Sequence, residues 1–378
     1  MSSPARASRS YDACMPGPIE AALARGQAAL EAGDWAAARA EFSAAVESDA
    51  APAAMLGLAE ALIWLGETEA SVDLHRRAYA GFRRMPEPVP AAVAAMNLYF
   101  LYRVSLGNVA ASRGWLGRLE SLIEGFGLDP LRGWALLIRA HDRGESGDPE
   151  AGEELARAAL AHAREGGDLD LELCALGALG ALLVERGRLD EGLPLLDEAM
   201  AGSLGGEGTR LDTVVFTSCT MITACSRAAQ FQRAAEWIRV AGDFAQRYGS
   251  PHVHTVCRVH YGGILFSTGR WAEAESELEQ ALRIARTAEP VLFAEALGRL
   301  AELRLGQGRI EEAEALLAGI EDRPTSAAPL AAIALARGDP AAAAVVARRR
   351  LRAVGDLCLE AVALVELLGE AEIALGAG

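Results

Sequence analysis

The sequence predicts an all-α protein, a right-handed α-solenoid of about eight helix pairs with a terminal helix. Three observations predict it. A short turn recurs, led by Gly33, Gly66, Gly107, Gly147, Gly187, Gly269, Gly308 and Gly338, with Ala229 in the glycine place of one further copy. The steps between them run from 30 to 42 residues, the period of stacked supersecondary units. Small and apolar residues follow each turn at helical spacing, as in Ala274, Leu278 and Ala281. Composition agrees: 51% hydrophobic but only 6% aromatic suits closely packed Ala/Leu helices.

The elements follow in order. Residues 1–18 are rich in Ser, Ala and Pro and predict a disordered tail. Residues 19–378 predict repeats, each a helix A, a glycine-led turn and a helix B. Glycine suits the turn because it accepts positive φ after helix A. The small residue five places later, such as Ala38, Ala274 or Ala313, lets helix B approach helix A. The unit around Gly33 carries Gly26, Ala38, Phe42 and Ala45 in these roles, and that around Gly187 carries Gly180, Gly192, Leu196 and Ala199. In the unit around Gly269, Gly262 marks a point where two helices touch. Turn-forming connectors at 85–90, 125–130, 202–212, 250–251 and 322–326 separate one unit from the next. Residues 357–375 read as another helix A, with Gly376 where the next turn is due. The chain reads as cut short within the array, leaving an apolar face that predicts either self-association through residues 350–378 or fast amide exchange there.

Charge bounds the partners. A net charge of -16 argues against binding phosphate backbones, so direct DNA binding is not expected. The chain has no lysine, which excludes Schiff-base, P-loop and kinase lysine chemistry. The six cysteines form no C-x-x-C pair and no disulfide framework, which predicts reduced thiols and a cytoplasmic protein. No membrane span or signal segment is legible, and no cofactor motif occurs.

Candidate sites are few. His254, Cys257 and His260 stand at i, i+3, i+6 near Cys219 and Cys225, a donor set that zinc could use. The spacing matches no standard ligand pattern, and a helix start with a packed thiol accounts for it better, so no metal is expected. The glycines at 202, 205, 206 and 208 read as a connector. Arg348–Arg352 reads as a solvated helix end. The concave groove is the better binding candidate. Counting back from each turn places Glu60, Asn97, Trp134, His141, Thr223, Arg227 and Glu302 on it. A polar-lined groove suits a protein or peptide segment.

The G-x-[WYLF]-x-x-A turn and small-residue positions resemble the tetratricopeptide repeat. CSRAAQFQRAAEWIRVAGDFAQRYG (225–249), VCRVHYGGILFSTGRWAEAESELEQAL (256–282) and RLAELRLGQGRIEEAEALL (299–317) are similar to the repeat regions of LuxR-type (MalT-like) bacterial regulators. The resemblance implies a non-catalytic region that binds a protein, peptide or small effector in transcription control. The helix-turn-helix domain of such regulators has no counterpart in these residues. A stand-alone adaptor or scaffold is the alternative.

Overall fold

The computed structural model describes residues 17–249, 251–354 and 361–376. The expected N-terminal tail through residue 16, Cys14, Cys358 and the first part of the terminal helix lie outside the described residues. Nineteen α-helices and no strand occur within them. They form nine consecutive pairs and a last helix. The pairs are α1 (Pro18–Ala32) with α2 (Trp35–Ser48), α3 (Pro52–Trp64) with α4 (Thr68–Phe82), and α5 (Pro88–Phe100) with α6 (Val109–Phe126). Next come α7 (Asp129–Glu145) with α8 (Pro149–Gly166), α9 (Leu169–Glu185) with α10 (Leu189–Gly205), and α11 (Leu211–Arg227) with α12 (Phe231–Tyr248). Then follow α13 (Pro251–Ser267) with α14 (Trp271–Ala288), α15 (Pro290–Gly306) with α16 (Ile310–Leu317), and α17 (Ala327–Ala336) with α18 (Pro340–Val354). The last is α19 (Ala361–Ala374). A π-helical turn, Leu101–Ser105, extends α5.

The turns repeat one geometry. At Gly33 the backbone takes φ 72°, and Asp34 N–H donates back to Ala29 O at 2.9 Å. The same step joins Arg270 to Leu265 and Arg309 to Arg304. These bonds satisfy carbonyls that a helix end otherwise leaves open. The polar residue after the glycine caps the next helix. Asp34 Oδ1 accepts from Ala37 N–H at 3.0 Å, and Asn108, Asp148 and Asp339 act alike. Ala229 keeps the geometry without glycine and is the one non-glycine residue at positive φ, 54°, among those described.

Small residues set the distance between paired helices. Ala38, Ala274 and Ala313 are fully buried. A Cβ at Gly262 would lie 2.7 Å from Leu278 Cγ, and one at Gly180 would lie 2.8 Å from the Gly192 carbonyl oxygen. The first helices of successive units also touch directly: α1 meets α3, and α7, α9, α11, α13 and α15 touch in sequence. Second helices of successive units do not pack as closely. The first helices therefore form the inner layer of a curved stack.

The curvature brings the chain back over itself. Trp35, stacked on Trp64 at 4.3 Å, donates its indole N–H to the Tyr248 carbonyl 213 residues on, at 2.6 Å. Gly107 lies against Val291 and Arg323, and Gly147 against the Val354 carbonyl. One apolar cluster joins Leu30, Trp35, Leu58 and Leu62 of the early units to Val214 of α11 and Phe244 of α12. The concave side is thus not one open trough. Side chains of α11 and α12 reach across it to the early units.

The left-handed position at Ala229 costs an L-residue about 1–2 kcal/mol, part of which glycine's extra chain entropy offsets. Ala229→Gly is expected to raise stability by about 1 kcal/mol, read as a higher denaturation midpoint with an unchanged slope.

Candidate functional site

The inner face carries two polar stations. The first gathers Glu60 from α3, Trp134 from α7, and Arg210 and Asp212 from the start of α11. Trp134 is fixed at its edge, where Nε1–H donates to Asp168 Oδ2 at 3.0 Å. The Arg210 guanidinium carbon lies 6.0 Å from the centre of the Trp134 ring, within cation–π reach. Arg210 Nη2 also meets Asp212 Oδ2 at 3.1 Å. Burial, helped by the Asp212 charge and opposed by Arg210, lifts the Glu60 carboxyl to about 7. Glu60 has no hydrogen-bond or ion-pair partner among the described residues. The Arg210 side chain keeps 40% of its surface accessible, yet desolvation is the largest influence on it. Its surface stays open to water while protein stands around part of it.

The connector leading to Arg210 is tied down. Asp170, buried in α9, accepts from Thr209 N–H at 3.1 Å, Thr209 Oγ1 at 2.7 Å, Arg210 N–H at 3.2 Å and Thr213 Oγ1 at 2.6 Å. Burial opposes charge on Asp170, but these donors outweigh it and hold its pKa below the usual value. The segment read from sequence as a plain connector therefore has a fixed end that presents Arg210 to Trp134.

The second station lies on α11, α13 and α15. Thr223 Oγ1 is 3.2 Å from His260 Nε2, and Glu295 Oε1 is 3.8 Å from that same nitrogen. Arg299 pairs with Glu302 at 3.1 Å, and Arg227 reaches Glu185 of α9 at 4.0 Å. Burial pushes the His260 imidazole down to about 4, and its Nδ1 is buried without a partner. Thr223, Arg227 and Glu302 thus share one neighbourhood, whereas Trp134 and Glu60 belong to the other.

The remaining candidates sit elsewhere. The Asn97 amide is 3.1 Å from His75 Nε2 on α4, between one pair and the next. His75 is itself held by the Ser71 carbonyl at 2.9 Å, and burial lowers its pKa to about 4. His141 pairs loosely with Glu145 at 3.6 Å. The three potential metal donors face different neighbours. His254 and Cys257 border a shallow groove with Arg258, Tyr261 and Glu277, while His260 faces α11 and α15. No group of three His, Cys, Asp or Glu residues among those described is arranged to hold a metal. Cys225 and Cys257 are buried, which pushes both thiols up to about 12. Arg348 and Arg349 pair with Glu372 and Asp322. No helix among the described residues is long and apolar enough to cross a membrane.

Sequence reasoning missed Arg210, Asp212, Glu295 and Arg299. The first two border a connector, and only the return of the chain places them opposite Glu60. The last two follow the signal that found Glu302, a polar residue on the inward stripe of a first helix.

Residues 133–366 match the family described as the MalT-like TPR region, and residues 19–43 match the tetratricopeptide repeat. The chain belongs to the MalT-like tetratricopeptide family. Its fold is similar to that of a Rap protein complexed with Competence and Sporulation Factor, at TM-score 0.55 and 13% identity, over 86% of this chain and 98% of the other. It is also similar to the apo form of the quorum sensor NprR from B. thuringiensis, at TM-score 0.49 and 11% identity, over 85% of this chain and 93% of that one. No curated protein matches the sequence.

Glu60 gives the site a pH signature. Its folded pKa, about 7, lies above the ordinary 4.5. The fold therefore favours the protonated form, and stability falls as pH rises from 4.5 to 7, by up to about 3 kcal/mol. Glu60→Gln is expected to raise the melting temperature at pH 8 and to change it little at pH 5. Equal shifts at both pH values would place Glu60 in ordinary solvent.

Proposed function

We propose that this chain is the ligand-sensing region of a LuxR-type bacterial transcriptional regulator, working in the cytoplasm and without catalysis. Its inner face takes up a protein or peptide segment or a small effector. The observation that carries this reading is the placement of charge. Glu60, Trp134, Arg210, Thr223, Arg227, Glu295, Arg299 and Glu302 come from four different first helices or their starts and line the inner layer. Most other charge is spent on structural pairs. Glu153, for example, is held by Arg157, Arg186 and Arg188 between neighbouring units.

The mechanism follows from the winding. The contacts Trp35–Tyr248, Gly107–Arg323 and Gly147–Val354 close one level of the stack on another. A ligand in the lumen touches both levels and binds the wound and opened forms with different affinity. It therefore shifts their populations by that difference. An output domain or partner reads the shift. The chain itself contributes no DNA contact in this reading, since its charge is -16.

Selection from a random peptide display library on the full chain tests the reading. Selected peptides are expected to lose at least about tenfold in affinity with Trp134→Ala or Arg227→Ala and nothing with Arg157→Ala on the outer layer. Peptides indifferent to both inner-face changes, or an empty selection, would overturn it.

The far end supplies a separate expectation. On α19, Ala361, Leu364 and Ala371 are buried, while Val362, Val365 and Ile373 are 63%, 49% and 78% exposed. Exposed apolar side chains grouped on one helix mark an interaction surface, and we infer self-association there. Light scattering after size exclusion is expected to show a mass that rises with concentration, and Val362→Asp with Val365→Asp should hold the chain monomeric. A mass that is monomeric at every concentration contradicts the inference.

A further inference from the structure

The first polar station is unequal in its parts. Trp134 is a fixed platform, because its indole nitrogen is tied to Asp168 at 3.0 Å and its ring packs between two apolar clusters. Arg210, the group lying over it, is the least tied of the charged members that contact it. Its long side chain leaves the residue that precedes α11, keeps 40% of its surface accessible, and is held by one side-chain ion pair at 3.1 Å, to Asp212. At 6.0 Å its guanidinium stands at the outer limit of the cation–π range. Glu60 is near enough to feel the charges of both Asp212 and Arg210, and it makes no hydrogen bond or ion pair among the described residues. Asp212, 53% exposed, spends one oxygen on Arg210. Asp170 is already satisfied by four donors.

An aromatic platform beside a carboxyl without an ion-pair partner suits a further cation. The protein's own Arg210 meets part of that need. It contacts Trp134 and Asp212 but makes no hydrogen bond to Glu60, which is left carrying a carboxyl in protein-walled space. Such a group gains from a cation that reaches it directly.

We propose that Trp134 and Glu60 form a pocket for an arginine side chain of an extended peptide ligand, and that Arg210, anchored by Asp212, occupies the Trp134 face as an internal stand-in. The inference rests on the reading that the inner face binds a peptide. It adds the chemistry of one ligand residue and the group that residue displaces. A ligand guanidinium lies flat on the Trp134 face and pairs with Glu60, while Arg210 swings aside and keeps Asp212. The charges are matched once Glu60 releases to solvent the proton that the empty station favours, because two cations then face two carboxylates. The exchange also frees a side chain rooted in the Asp170-held connector, which links ligand binding to the start of α11.

Intramolecular competition gives a test with a distinctive sign. The probe is an acetylated, amidated Gly-Arg-Gly peptide, with its citrulline counterpart as the uncharged isostere, measured by calorimetry on the full chain. Removing the stand-in with Arg210→Ala should tighten binding of the arginine probe by about tenfold. Arg210→Gln, which keeps the stem without the charge, should do the same and covers the case in which alanine loosens the connector. Adding Glu60→Gln to either variant should cancel the gain, and citrulline should bind about tenfold more weakly than arginine. An unchanged or weakened affinity in both Arg210 variants overturns the proposal, as does equal binding of arginine and citrulline. Display-selected peptides that need Trp134 or Arg227 but contain no arginine would overturn this inference alone and leave the broader reading standing.

Discussion

Everything in this molecule depends on how closely two helices can approach at one point in each unit. Where Gly262 faces Leu278, or Gly180 faces the Gly192 carbonyl, a single added carbon would sit under 3 Å from its neighbour. The fully buried alanines Ala38, Ala274 and Ala313 mark the same contact on the second helix. Close approach is possible only because the turn reverses the chain within a few residues, and that reversal needs a left-handed residue after the first helix. The turn and the small-residue contact are therefore one constraint. Repeated nine times, it fixes the distance within each pair and leaves the angle between pairs to accumulate as curvature.

Curvature then does what no local element could. It returns α11 and α12 to the level of α3, so that Val214 and Phe244 share an apolar cluster with Leu58 and Trp35. It also carries Arg210 and Asp212 to Glu60. Local chemistry sharpens the result. Asp170 accepts four hydrogen bonds from the connector and the start of α11, so the end of an otherwise irregular segment is aimed. A charged station assembled this way is sensitive to winding. If the levels separate, Glu60 returns to water and Arg210 loses its surroundings, so occupancy of the station and shape of the stack are coupled.

The sequence makes the local rules legible and hides the global one. Turn glycines, capping residues and small contact residues are read directly, because each acts within about forty residues of itself. Even the exception at Ala229 is visible, as a residue standing where glycine is due. Trp134, Thr223, Arg227 and Glu302 are found by counting back from the turns, since the inner face repeats with the helix. Asn97 shows the limit of that count. Its amide meets His75 on a second helix, a buried partner that no count from a turn detects. Arg210 and Asp212 show a deeper limit. Their importance depends on residues some 150 positions away, and small angular increments per unit decide whether those residues meet.

The stack closes on itself and thereby builds the station around Trp134. The most direct measurement is a distance across the closure. Spin labels at Glu31 and Arg247, both exposed and flanking the Trp35–Tyr248 contact, would be read by pulsed electron resonance on the full chain. A wound stack predicts a narrow distribution at the short end of the measurable range, and one that shifts or sharpens when a lumen ligand binds. A broad distribution centred at long distance, unchanged by ligand, would contradict the closure and with it the account of the site.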